Sequence, residues 1–168
     1  ERNDLLGAFD FLVDRGVPAE RIGVVGRSMG AGTSLLALAE EPAIRALVID
    51  SPYANASNLI AQEMARKTIL PEWLARAFVP GTKLAANLFM GADVGKLVPH
   101  KAAAGLAYPI LVIHGTADTR IPVDHGIRVI LASHSDSLIW LVPDVSHVDA
   151  FSEHAQEYVD RVASYFRS

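Results

Sequence analysis

Residues 22–32 read Ile22-Gly23-Val24-Val25-Gly26-Arg27-Ser28-Met29-Gly30-Ala31-Gly32. A short run rich in β-branched residues, 22–25, leads to a serine with a glycine two positions away on either side. Apolar runs without polar alternation suit strands buried on both faces. From about Met29 to about Glu40 the residues suit a helix, which Pro42 stops. Strand, G-x-S-x-G turn and helix, in that order, are the setting in which a serine hydroxyl is lifted above the carboxyl end of a strand. The turn is sharp and its backbone strained, so its flanking residues must be small. Gly26 and Gly30 meet that need, and Ala31 and Gly32 keep the helix start uncrowded. The bare pattern arises by chance about 0.05 times in a chain of this size at ordinary Gly and Ser usage. The strand and helix around it therefore carry the argument. The Met29 N–H, at the helix N-terminus, is placed to donate to a developing oxyanion.

Outward from this turn the alternation repeats. Upstream, Leu5, Leu6, Phe9, Leu12 and Val13 form one helical stripe over residues 4–15, and Gly16 suits a helix stop. Downstream, residues 46–49, 110–113 and 138–142 read as three more buried strands. Pro122 suits the first position of a helix reaching about residue 134. A last helix is expected over about 152–166, with Ala155, Tyr158, Val159, Val162 and Phe166 on its inner stripe. Strands alternating with helices imply right-handed crossovers, hence an α/β fold: a parallel sheet with helices on both faces. Residues 53–106 break the rhythm, since a simple crossover needs far fewer. Helical stretches over 59–67, 72–78 and 84–90 are separated there by Pro71, Pro80-Gly81 and Gly91. This segment reads as a helical cap or lid inserted within one domain, 1–168. Trp73, Phe78, Leu88, Phe89 and Met90 read as its own core, a minority of them as lining for an apolar acyl pocket.

A nucleophilic serine needs a base, and the base an orienting acid. Asp118 follows the third strand in His114-Gly115-Thr116-Ala117-Asp118, and His147 follows the fourth in Pro143-Asp144-Val145-Ser146-His147. Both fall on the strand-end edge where open α/β folds hold ligands. The chain order Ser28, Asp118, His147 is the one this motif requires. Each also has a plainer reading: Asp118 as a turn or cap residue before Pro122, His147 as an ordinary loop histidine. Asp50, ending the second strand, is a second candidate acid, though with Ser51 and Pro52 it better fits a turn. Asp144 and Asp149 read as solvent-facing. His114 with Asp118 lacks metal-ligand spacing, and the glycines do not spell G-x-G-x-x-G, so neither a metal nor any other cofactor is expected.

The composition agrees with an ordinary globular domain. The chain has 168 residues, 51% of them apolar and 20% charged, a formal net charge of −4 and no cysteine. A disordered tail, a disulfide scaffold, a thiolate metal site and a cysteine nucleophile are excluded. The mild acidity, without any Lys/Arg block, argues against nucleic acid as partner. No apolar stretch approaches the roughly 20 residues of a spanning helix, so no membrane segment is visible. The compartment is left open, with the cytoplasm favoured. Residue 1 is Glu and a helix begins at once, so the natural start of the protein is expected upstream.

Taken together, Gly26-Arg27-Ser28-Met29-Gly30, Asp50-Ser51-Pro52-Tyr53, Ile113-His114-Gly115-Thr116-Ala117-Asp118 with Ile121-Pro122, and Ser146-His147 with Phe151 carry a resemblance. The chain resembles the C-terminal part of an α/β-hydrolase of the serine esterase and lipase type. It is similar to the Bem46-like and cinnamoyl-esterase-like branches, and more distantly to prolyl-oligopeptidase-type peptidases. The resemblance implies that Ser28 is the nucleophile, His147 the base and Asp118 the acid. It further implies a small-molecule ester as substrate, cleaved through an acyl-enzyme without a cofactor. A peptidase or thioesterase using the same triad is the alternative, as is a catalytically silent fragment or binding module. In that superfamily several strands precede the one leading to the nucleophile, whereas here Ser28 follows the first visible strand. On the order of 80–100 further residues would then precede this chain. They would hold a second oxyanion N–H, whose loss can cost roughly 10²–10³ in rate. Strand 22–25 would be an exposed edge open to self-association.

Overall fold

The computed structural model describes residues 1–67, 71–90 and 93–168. Its helices are α1 (Arg2–Asp14), α2 (Met29–Leu38), α3 (Ala56–Lys67), α4 (Glu72–Met90), α5 (Pro99–Ala103), α6 (Val123–Ala132), α7 (Ala150–Glu153) and α8 (Ala155–Tyr165). Four strands, β1 (Val24–Arg27), β2 (Leu47–Asp50), β3 (Leu111–Gly115) and β4 (Leu138–Val142), pair in parallel in the order β1-β2-β3-β4. The expected α/β architecture therefore forms, with β1 and β4 as its edges. β2 and β3 are buried at every position, as uninterrupted Leu, Val and Ile in a central parallel strand require.

Successive strand residues point to opposite faces, and this divides the core in two. Leu47, Ile49, Ile110 and Val112 pack with Leu35 and Leu38 of α2 and Val129 of α6. Val48, Leu111, Ile113, Trp140 and Val142 pack with Tyr158 and Val162 of α8. Each face of the sheet is thus covered by helices.

Several boundaries differ from expectation for local reasons. Pro122 sits one place before α6, with ψ 144° instead of a helical value, so Val123 opens the helix. The last helix is interrupted at His154 (φ −130°, ψ 46°), which separates α7 from α8. Within α8 the inward stripe follows i, i+4, i+7 spacing. Tyr158, Val162 and Tyr165 pack inward, whereas Ala155, Val159 and Phe166 are exposed. Tyr165 also ties the sheet base together. Its hydroxyl accepts the Leu47 N–H at 2.9 Å and donates to the Pro109 carbonyl at 2.9 Å.

Residues 55–98 form one compact unit, and residues 1–54 with 99–168 form the other. Within the helical unit, α4 runs through Pro80, where a break was expected. Proline there withholds its N–H from the carbonyl of residue 76 and crowds it, a local cost the helix carries; two residues on, the Thr82 hydroxyl donates to the Phe78 carbonyl at 2.9 Å. Trp73 and Phe78, expected in a core, are 72% and 53% exposed, while Ala61 and Val79 are buried. Once 72–78 and 84–90 join into one helix, Val79 falls on a different face from Trp73. Gly91 lies outside the described residues, as do the side chains of Leu88, Phe89 and Met90. Among the described residues, no helix is long and apolar enough to cross a membrane.

Candidate active site

β1 passes into α2 through Ser28, whose φ of 53° and ψ of −117° are rarely adopted by a residue with a side chain. The neighbourhood holds that conformation. The Ser28 N–H donates to the Asp50 carbonyl at 2.8 Å, and the Ser28 carbonyl accepts from Ala31 at 3.1 Å. A Cβ on Gly26 would lie 2.7 Å from the Gly30 carbonyl and 2.8 Å from Ala31 Cα, so β1 and α2 touch there only because no side chain intervenes. Gly30 departs from expectation: a Cβ there meets nothing within 4 Å, so packing does not require a glycine. Met29 opens α2, where a helix supplies no acceptor for its own N–H.

Two loops carry the other residues, and backbone hydrogen bonds join them. Thr116 donates to the Val142 carbonyl at 2.9 Å and Ala117 to the Val145 carbonyl at 3.0 Å. The Asp144 N–H donates to Thr116 Oγ1 at 2.9 Å. Gly115 permits this approach, because a Cβ there would run into the Val145 carbonyl. The result brings Asp118, His147 and Ser28 into line. His147 Nδ1 lies 2.7 Å from Asp118 Oδ2, and His147 Nε2 lies 2.8 Å from Ser28 Oγ. With Nδ1–H directed at the carboxylate, Nε2 is free to accept the Ser28 proton. The His147 side chain is 12% exposed and that of Asp118 0%.

The plainer reading of Asp118 holds as well, on its other oxygen. Oδ1 accepts the N–H groups of Arg120 at 2.9 Å and Ile121 at 2.8 Å, which shapes the turn before α6. Burial alone would push Asp118 up, but hydrogen bonds from His114, His147 and the Ile121 N–H outweigh it, so its carboxyl lies below the usual range. His114 Nε2 is closer to the Ile121 carbonyl (2.9 Å) than to Asp118 Oδ2 (3.5 Å), so His147 and the backbone are the stronger partners. Burial also lowers His125, and its Nδ1 accepts the Ala54 N–H at 3.0 Å, the role of a neutral ring. Among the described residues, no group of three or more His, Cys, Asp or Glu is arranged to hold a metal ion.

Asp50 is brought to the same sheet edge but bonds elsewhere. Its fully buried carboxyl accepts the Ser51 hydroxyl at 2.9 Å and the Tyr158 hydroxyl at 3.3 Å, with Arg27 Nε 3.6 Å away. Burial pushes Asp50 above the usual carboxylate range, and Ser51, Arg27 and Tyr158 offset this only in part. Asp144 is exposed as expected, whereas Asp149 is half-buried and precedes α7. Nothing in the local sequence marks Arg27 and Tyr158 as neighbours of the site. Their partners lie 121 and 108 positions away, beyond any local motif.

A sequence profile of the prolyl oligopeptidase family matches residues 1–168. The chain is 26% identical over 179 residues to the uncharacterized protein YfhR of Salmonella typhi, covering 99% of this chain and 54% of that protein. It is 29% identical over 171 residues to the α/β-hydrolase domain-containing protein aho-3 of Caenorhabditis elegans, covering 98% of this chain and 44% of that one. The esterase Pf2001 of Pyrococcus furiosus superposes with a TM-score of 0.62 at 28% identity, over 87% of this chain and 52% of its own. The chain spans about half the length of the curated relatives it matches. Matched along its whole length, with the parallel sheet and flanking helices described above, the chain belongs to the prolyl oligopeptidase family, within the α/β-hydrolase superfamily.

Proposed function

We propose that the protein is a serine hydrolase that cleaves carboxylic esters, with Ser28 as nucleophile, His147 as base and Asp118 as acid. One observation carries the reading: a single imidazole lies 2.8 Å from a strained serine hydroxyl on one side and 2.7 Å from a buried carboxylate on the other. Ser28 Oγ attacks the ester carbonyl while its proton passes to His147 Nε2. Asp118 stabilises the imidazolium that forms and holds the ring's orientation. The tetrahedral oxyanion accepts the Met29 N–H, aided by the positive end of α2. His147 then protonates the departing alcohol, leaving an acyl group on Ser28. A water, deprotonated by the same nitrogen, attacks the acyl carbonyl; the carboxylic acid leaves and Ser28 recovers its proton. The ester substrate class is supported by the likeness to the Pyrococcus esterase at 28% identity.

The family match favours one other reading, a peptidase using the same three residues. Rates on short p-nitrophenyl esters, thioesters and dipeptide amides separate these chemistries. For the site itself, Ser28→Ala in the full-length protein should abolish both turnover and labelling by a phosphonate probe. Labelling that persists on another serine overturns the assignment.

A further inference from the structure

Val148 follows His147 directly and has a φ of 57°, a conformation that disfavours a β-branched residue. Side chains from distant segments hold both of its backbone polar groups. Its N–H donates to Ser51 Oγ at 3.2 Å, and its carbonyl accepts from the Arg27 guanidinium. Both side chains converge on Asp50: the Ser51 hydroxyl donates to Oδ1 at 2.9 Å, and Arg27 Nε lies 3.6 Å from Oδ2. Tyr158, on α8, donates to Oδ2 at 3.3 Å.

The direction of these bonds matters. A hydroxyl has one proton to give. Because Ser51 gives its proton to Asp50, its oxygen is left as an acceptor, which is what the Val148 N–H needs. An amide at position 50 could present an N–H₂ instead and turn the Ser51 hydroxyl round. Asp50 and Ser51 are both wholly buried, so water does not compete for these bonds.

We infer that Asp50, acting through Ser51 and Arg27, is a positioning residue for His147: it clamps the Val148 peptide in its left-handed conformation and so sets the imidazole's approach to Ser28. The inference rests on the assignment of Ser28, His147 and Asp118 proposed above. Asp50 touches none of the reacting atoms, and the shift it controls is one of geometry. Displacements of about 1 Å at a distance from the chemistry can slow a reaction about a hundredfold.

The test uses the full-length protein and the variants Asp50→Asn, Ser51→Ala and the pair combined. The rate and pH profile of phosphonate labelling at Ser28 are measured, with kcat and KM on a short ester. The downfield proton NMR signal of the His147 ring N–H is followed as well. Each single variant is expected to label about tenfold to a hundredfold more slowly, with KM changing less than about twofold, the pH profile displaced and the His147 signal shifted or broadened. The double variant should be no slower than the slower single one, because both break the same link. Wild-type rates, an unchanged pH profile and an unchanged His147 signal in the single variants overturn the inference; so do effects that simply multiply. Failure of the wild-type protein to label at Ser28 overturns the underlying functional reading instead. Should Asp50→Asn not fold, Ser51→Ala, which removes one oxygen, decides alone.

Discussion

Asp50 closes β2 and Asp118 lies in the turn just past β3, on the neighbouring strand of the same sheet. Both carboxyls are shut away from solvent. Yet they are pushed in opposite directions, Asp50 above the usual carboxylate range and Asp118 below it. Asp50 lies the deeper of the two, and the donors also differ. Asp118 accepts two backbone N–H groups and an imidazole at 2.7–2.9 Å. Asp50 accepts two hydroxyls, the longer at 3.3 Å, with its guanidinium neighbour half-exposed and 3.6 Å off. Strong donors favour the ionised form, and weak ones leave desolvation in charge. One sheet edge thus carries a carboxyl suited to face an imidazolium and another suited to hold a backbone in place. Tyr158, pushed up to about 12 by burial and by Asp50, keeps its proton as a donor to that second carboxyl.

The largest expected effect tests this division directly. Asp118→Asn should lower kcat on a short ester by about 10⁴-fold, because the amide no longer fixes the tautomer or balances the imidazolium. An Asp50→Asn variant that loses as much would mean the two carboxyls have been assigned the wrong way round. A smaller effect is expected from Gly115→Ala, on the Asp118 side. Its methyl would press on the Val145 carbonyl and part the two loops. A loss of about 1–3 kcal/mol in urea unfolding, with kcat down about tenfold to a hundredfold, is the predicted outcome. Full activity would show that the loops do not depend on that contact. The smallest effect is in stability against pH. The lowered Asp118 contributes stability that is complete above the ordinary carboxylate value and is lost as the pH falls through its depressed one. The raised Asp50 does the reverse: its contribution declines as the pH rises from the ordinary value to its elevated one. Urea midpoints of Asp118→Asn and Asp50→Asn, each compared with wild type across acidic pH, should diverge from it with opposite slopes. Equal slopes would remove the contrast.

Local chemistry in the sequence was enough for the strands, most helices and the meeting of Ser28, Asp118 and His147. Each of these rests on a run, a turn or a strand end confined to a few residues. The features that are not legible depend on packing that a local window of sequence does not contain. Gly30 looked necessary because the motif places it there, but the space beside it is open. Pro80 reads as a stop, yet α4 continues through it and carries the lost bond and the crowded carbonyl as a local cost. On the last helix the buried stripe is Tyr158, Val162 and Tyr165, because the sheet covers a narrower face than the apolar residues alone mark out. The Asp50 cluster was the least legible feature. Arg27, Ser51, Val148 and Tyr158 share no period or motif, and only the folded sheet gathers them.

The sheet order has one more consequence. Ser28 hangs from one edge strand and His147 from the other, three strand spacings away, about 14 Å at the usual separation. The loop after β4 reaches back rung by rung, bonding at the end of β3 through Thr116 and Ala117, at β2 through Ser51 and at β1 through Arg27. A slip of one residue in any of the three ladders moves a strand end by about 3.3 Å, more than a hydrogen bond tolerates. Such a misaligned chain would keep every side chain of the site and still have an inert serine. With Ser28 as the nucleophile proposed above, phosphonate labelling there would serve as a chemical gauge of strand register, and during refolding it should be among the last signals to return.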